Sequence, residues 1–222
     1  MKNEPNLRRV IFDMDGLLLD TERVCQACFV ETQMDLGLPA TPDVFLACIG
    51  LSGDDSREII EAALPDHVSF SAFGAAWDGR IAERLARHVP VLDGVHAFVT
   101  ELATRGVHMA VATSTRTSQA RALLQDAGLL KHFELVVGGD RVVRRKPDPE
   151  IYLTVADRMG WEIGGCVAFE DSDVGAHAAI RSGAITVQVP DLRPVAEDMH
   201  RMGHVIAPSL ADGARAVGLL PV

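Results

Sequence analysis

Aromatic residues are scarce in this chain: one tyrosine, two tryptophans and eight phenylalanines among 222 residues. A core made from it must be mainly aliphatic, and a composition 48% hydrophobic supplies enough for one good core plus a smaller satellite. Positive charge is also short. Lysine and arginine number 21 against 31 aspartates and glutamates, a formal net charge of −10 and a pI of about 5.2. Such a field repels phosphate backbones and anionic lipid, so neither nucleic acid nor a membrane surface is the expected partner. A phosphorylated small molecule would need local positive charge to offset it. No apolar run reaches the length of a membrane span, and residues 1–9 lack the apolar segment of a signal peptide, so the expected location is cytoplasmic.

Cysteine is sparse too. Cys25, Cys28, Cys48 and Cys166 are scattered and form no disulfide framework. Cys25-x-x-Cys28 has no second close pair to complete a zinc site, and buried free thiols are the expectation. His200 and His204 share helix-face spacing but have no glutamate between them of the metalloprotease kind, and Gly203 weakens a helix there; both are read as surface residues.

What is present is a change of rhythm along the chain. Val10-Ile11-Phe12 is a short apolar run ending in Asp13-Met14-Asp15-Gly16, which reads as a buried strand emerging at a sheet edge. From about residue 21 to 88 the pattern is helical: 21–36 closed by Gly37, 41–49 with Pro42 in its first turn, 54–64, and 71–87. Asp20 or Thr21 is the expected cap of the first of these helices. After a turn at 90–94, helices and apolar strands alternate. Strands are expected at 107–112, 133–137, 166–169 and 185–189, with a short one at 204–206, and helices at 95–105, 118–127, 148–159, 174–182 and 209–217. Strands apolar through their length that alternate with helices mean a parallel sheet covered on both faces. The fold class is therefore α/β, a Rossmann-like doubly wound parallel sheet of residues 1–20 and 89–222, with an all-helical unit of residues 21–88 inserted after the first strand.

In such a sheet the residues just past each strand converge on one edge. Standing there are Asp13 and Asp15, Thr113-Ser114, the basic turn Arg144-Arg145-Lys146, and Glu170-Asp171-Ser172. Taken singly, Thr113-Ser114 is a helix cap, the basic run a solvated turn, and each acidic pair an exposed loop. Taken together, one group per strand end gathers at least four carboxyl groups, a hydroxyl and an ammonium. Carboxylates so crowded repel unless a cation compensates, and oxygen ligands without organised His or Cys suit Mg²⁺. A magnesium ion with Lys146 would neutralise a phosphoryl group, whose oxygens the hydroxyl and backbone N–H groups near Ser114 would hold; this is the equipment of phosphoryl transfer.

Asp13-x-Asp15-Gly16, Thr113-Ser114, Lys146-Pro147-Asp148-Pro149 and Glu170-Asp171-Ser172-x-x-Gly175 resemble, in order and across nearly the whole chain, the four motifs of the haloacid dehalogenase-like hydrolase superfamily. The inserted helices are similar to the four-helix cap of its β-phosphoglucomutase-like branch. The resemblance implies that Asp13 is the nucleophile forming an aspartyl-phosphate and that Asp15 is the general acid and base. It also implies that Asp15 offers its backbone carbonyl to Mg²⁺, that Thr113 and Lys146 with Ser114 beside them bind the phosphoryl group, and that Asp13, Glu170 and Asp171 complete the metal site. Asp15 sets aside a dehalogenase, since a carboxylic acid helps an alkoxide leave and not a halide. Receiver domains lack so large a helical insert and the Lys146 turn.

A phosphosugar mutase is the competing chemistry. Aligned through Asp20-Thr21, the position where β-phosphoglucomutases carry a histidine is Cys25, and Gly53, in the loop 50–56, stands where they place an arginine. Both departures favour a phosphatase acting on a small phosphorylated metabolite, such as a sugar phosphate. A non-catalytic regulatory member is a third class, which no residue supports. Arg116 is a candidate for a second anionic group of the substrate. Arg80, Arg84 and Arg87 are read as a solvated face and Trp77 as core of the helical unit. The oligomeric state is open.

Overall fold

The computed structural model describes residues 8–49 and 53–221. The first residues of the chain, and residues 50–52 of the loop that the alignment through Gly53 invokes, lie outside the described residues. The first strand, β1 (Arg9–Phe12), is followed by four helices, α1 (Thr21–Asp35), α2 (Pro42–Cys48), α3 (Gly53–Ala63) and α4 (Phe70–Arg87). Alternation then begins: α5 (Val95–Thr104), β2 (His108–Thr113), α6 (Thr117–Asp126), β3 (Leu135–Gly138), α7 (Glu150–Met159), β4 (Val167–Glu170), α8 (Asp173–Ser182), β5 (Ile185–Gln188), β6 (Val205–Ile206) and α9 (Leu210–Ala216).

The six strands form one sheet in the order β3-β2-β1-β4-β5-β6, every pairing parallel. Side chains alternate across it as the two-residue period of a strand requires. Val10 and Phe12 face one side with Val111, Phe169 and Val187, under α5, α6 and α9; Ile11 faces the other with Ala110, Ala112 and Ala168, under α7 and α8. The scarce aromatics are concentrated on the first side, where Phe12 stacks on Phe169 (centroids 5.4 Å) and meets Phe98 and Phe133 edge-on. Small alanines on the second side bring α7 and α8 close to the strands. The third strand starts two residues later than the pattern suggests, because Leu130–His132 is a 3-10 turn and Phe133 is spent on Phe12.

Helices α1–α4 have a separate apolar centre of Phe29, Phe45, Ile60 and Phe73, with Trp77 packed against it. The arginines of α4 lie at the surface as expected, but two of them are also paired across helices. Arg84 donates to both Glu31 carboxylate oxygens at 2.8 Å, and Arg80 pairs with Glu31 and Asp35, so both tie α4 to α1; only Arg87 stays on its own helix, with Glu83. Helix surface periodicity shows that three arginines share a face but cannot say that a second helix brings acids opposite. The unit joins the sheet through paired backbones, Asp20 N–H to the Pro90 carbonyl (3.0 Å) and Leu92 N–H to the Leu18 carbonyl (3.2 Å). No helix among the described residues is long and apolar enough to cross a membrane.

Candidate active site

Strand order reverses between β1 and β4, and the carboxyl ends of these neighbours form the crevice where open α/β sheets place ligands. Asp13 follows β1 directly, its N–H on the Phe169 carbonyl at 2.9 Å, and Glu170 closes β4. Lys146 arrives from the turn before α7 and lies between them. Its ammonium donates to Asp13 Oδ1 (2.6 Å), Glu170 Oε1 (2.6 Å) and the Ala112 carbonyl (3.0 Å), which uses all three N–H bonds. All three side chains are buried. Asp171 completes the group: one carboxylate oxygen each from Asp13, Glu170 and Asp171 lie within 4.8 Å of one another.

Charge in this volume is out of balance. Burial pushes the Asp13 carboxyl up to about 8, with Glu170 and Asp15 adding to the rise and Lys146 opposing it. Burial, then Glu170 and Asp13, push Asp171 well above the carboxylate range. Glu22, at the start of α1, is raised to about 7 by burial and by Asp15 and Asp191. For Lys146 the neighbouring carboxylates outweigh the cost of burial and hold the ammonium charged. Three carboxyl groups against one ammonium, with oxygen as the only donor, are the donor set of a hard divalent cation.

Asp15 stands apart from that triad, in a cradle of hydroxyls. Thr21 donates to its Oδ1 at 2.7 Å, and Thr113 (3.1 Å) and Thr115 (2.8 Å) donate to its Oδ2. Of the two residues expected at the helix cap, Asp20 takes the cap position, without a side-chain bond, and the Thr21 hydroxyl is turned to Asp15. Thr113 is buried, while Ser114 is exposed and lines the cleft. Arg116 is exposed at the start of α6 and is not among the residues lining the cleft, whereas Arg145 is.

Two glycines make the packing possible. At Gly175 a Cβ would stand 2.1 Å from the Glu170 carboxyl group. At Gly16, whose φ is +77°, it would stand 2.5 Å from Asp171 Oδ2, so a side chain there would be strained by the backbone and would displace the acid.

Sequence reasoning missed three participants. Thr115 is one residue beyond the expected pair. Tyr152, the lone tyrosine, is fully buried, donates its hydroxyl to Glu170 Oε1 at 2.5 Å and places its ring 5.2 Å from the Lys146 ammonium. Gln188, nearly fully buried, bonds Asp173 (2.8 Å) and receives His204 Nε2 at 2.8 Å, so His204 is a half-buried partner in a hydrogen-bonded chain where a surface residue was expected. A helical i, i+4 reading of His200 and His204 missed it because the second residue leads into a strand. The lone tyrosine, four residues beyond Asp148 in a helix entering this edge, was the one signal available.

The reactive groups open into a cleft of about 540 Å³ between the sheet edge and helices α1–α4. Its far wall is apolar, with Phe45, Ile60, Phe70 and Trp77; the Trp77 indole N–H is held by the Cys25 carbonyl at 2.9 Å. Cys25 and Cys48 are free thiols lining this cleft, and Cys28 and Cys166 are free elsewhere.

A doubly wound sheet carrying a carboxylate triad, a buried lysine and a hydroxyl-cradled aspartate at its switch point defines a hydrolase of the phosphoryl-transfer type. Residues 10–189 match the family described as haloacid dehalogenase-like hydrolase, and the chain belongs to that family. It is 33% identical over 180 residues to a phosphorylated carbohydrates phosphatase of Thermotoga maritima, covering 80% of this chain and 82% of that one. It is 33% identical over 185 residues to the fructose-1-phosphate phosphatase YqaB of Escherichia coli, covering 81% and 95%. Among solved structures, CbbY of Rhodobacter sphaeroides in complex with phosphate superposes with a TM-score of 0.74 at 25% identity, over 93% of this chain and 96% of that one.

Proposed function

We propose that this chain is a Mg²⁺-dependent phosphoric monoester hydrolase acting on a phosphorylated carbohydrate through an aspartyl-phosphate on Asp13. The observation carrying this reading is the 2.6 Å placement of Lys146 on both Asp13 and Glu170, with Asp171 beside them. Asp13, Glu170 and Asp171, with the Asp15 main-chain carbonyl, would hold the ion. A divalent cation there offsets the surplus carboxylate charge and draws charge from phosphoryl oxygens.

An Asp13 carboxylate oxygen forms a bond to phosphorus as the ester P–O bond breaks, and Asp15 gives its proton to the departing alkoxide. Asp15 then takes a proton from water as that water attacks the phosphoaspartate, which releases phosphate and restores Asp13. Lys146 holds the nucleophile in its rotamer and supplies fixed positive charge next to the phosphoryl group. Thr113 and Thr115 orient Asp15, and Ser114 is placed to meet phosphoryl oxygens. The helical unit, residues 21–88, acts as a cap on the core of 1–20 and 89–222, excluding water until the alcohol has left. Relatives named as carbohydrate phosphatases support the substrate class. A mutase needs a further acid or base on the cap; at the matching position burial pushes the Cys25 thiol far up, which leaves it inert near neutral pH.

The test is phosphate release from sugar phosphates with and without Mg²⁺, beside an assay for glucose 1-phosphate to glucose 6-phosphate interconversion. Magnesium-dependent release without interconversion is expected, and Asp13→Asn should abolish it while the protein stays folded. Full turnover by Asp13→Asn would remove Asp13 from its role.

A further inference from the structure

The charges on the cleft walls narrow the substrate further. Helix α4 presents two faces. Its arginines, Arg80 and Arg84, turn to the acids of α1. The adjoining face, about a quarter-turn round the helix, gives the cleft Trp77, Asp78, Ile81 and Leu85, at the spacing of one helical stripe. That stripe continues into a second cavity of about 450 Å³ between α4 and α6, sharing Asp78, Ile81, Leu85, Gln119 and Leu123 with the first and adding Asp126. The polar groups of this extension are two carboxylates and an amide. Its remaining lining is aliphatic.

Positive charge in the cleft lies elsewhere. Arg145 and Lys146 belong to the phosphoryl end, and Lys146 is saturated by Asp13, Glu170 and the Ala112 carbonyl. The one arginine among the described residues lining the cleft from the helical unit is Arg57, bonded to Glu61 (2.9 Å) and lying 5.1 Å from the centre of the Phe70 ring. Residues 50–56 contain two aspartates and neither lysine nor arginine.

We infer that the substrate bears a single phosphate on a neutral, hydroxylated body, and that Asp78 is the side chain that turns a second phosphate away; this rests on the phosphatase reading above. Hydroxyl groups of a sugar donate to the Asp78 carboxylate and the Gln119 amide oxygen, while its C–H face lies on Leu85 and Leu123. A distal phosphate brought into the same extension meets Asp78 and Asp126 with no lysine or arginine among the lining residues, and like-charge juxtaposition is an effective means of rejecting a competitor.

The experiment compares a ketohexose 1-phosphate with its 1,6-bisphosphate in the presence of Mg²⁺. Wild-type protein should favour the monophosphate by at least about tenfold in kcat/KM, a difference of about 1.4 kcal/mol. Asp78→Lys should shift that ratio toward the bisphosphate by about tenfold or more, with Asp78→Asn falling between; Asp78 is exposed, and unchanged melting of the variants confirms that they fold. Equal or better use of the bisphosphate by wild type, or a ratio unmoved in Asp78→Lys, overturns the inference. If neither ester is hydrolysed, the phosphatase reading fails for ketohexose phosphates, and specificity is then read from Mg²⁺-dependent thermal stabilisation of Asp13→Asn by each ester. Greater stabilisation by the monophosphate supports the inference, and equal or greater stabilisation by the bisphosphate overturns it.

Discussion

Replacing Tyr152 by phenylalanine removes one atom from the centre of this site. The lost hydroxyl donates at 2.5 Å to Glu170 Oε1, the oxygen that also receives Lys146, and both Tyr152 and Glu170 are fully buried. The ring, and with it the contact to the Lys146 ammonium, is retained. A hydrogen bond to a charged group contributes about 1.5–3 kcal/mol. For a chain of this length each kcal/mol lowers Tm by roughly 2–4 °C, so Tyr152→Phe should melt about 3–12 °C below wild type. Function should change in a specific way. With Tyr152 and Lys146 both on Oε1, Glu170 has its other oxygen, met only by the Ser172 hydroxyl at 3.4 Å among the described residues, open to a cation. Without the tyrosine the carboxylate can rotate, and loss of a group that orients a metal ligand typically costs about 10–100-fold in metal affinity. A Mg²⁺ titration of phosphate release should therefore show half-activation displaced upward, with kcat recovering at saturating magnesium. A Tm within about 2 °C of wild type together with an unchanged magnesium titration would refute the reasoning.

Gly175→Ala should destabilise the protein by about 1–3 kcal/mol and depress kcat, because the new methyl group overlaps the Glu170 carboxyl group and one of the two must move; wild-type melting and turnover would contradict this. Metal binding should be linked to protons. Asp13 is raised to about 8 and Asp171 well above its ordinary range, so near pH 7 the metal-free protein holds protons that Mg²⁺ must displace; calorimetry in buffers of different ionisation enthalpy should report their release, fading as pH rises past about 8. Raised carboxyl groups also set the pH dependence of the metal-free fold. Between pH 6.5 and about 8 the folded chain binds more protons than the unfolded one through Asp13 and Glu22, so stability must fall as pH rises through that window. A Tm in chelator that is flat or rising there would sink the assignment.

Much of this protein was legible along the chain. Helix and strand positions follow from periodicity and from stop residues such as Gly37, Gly160 and Gly183, each of positive φ. The parallel sheet follows from strands apolar through their length. Given that sheet, Asp13, Lys146, Glu170 and Asp171 had to meet, because parallel strands deliver the residues after them to one edge; the backbone, not the side chains, made that convergence readable. What the chain alone could not settle depends on which surface lies opposite. Thr21 reads locally as a cap and is a partner of Asp15, since α1 starts directly over the cradle. Arg80 and Arg84 read as solvated and are paired, since α1 brings Glu31 and Asp35 across. Arg116 sits two residues past Ser114, yet the start of α6 carries it away from the cleft. Tyr152 has no sequence context that announces a bond to a carboxylate eighteen residues on. Periodicity is a property of neighbours in the chain and survives in any fold, whereas the partner of a polar side chain is decided by packing between segments distant in sequence, and only the tertiary structure supplies that.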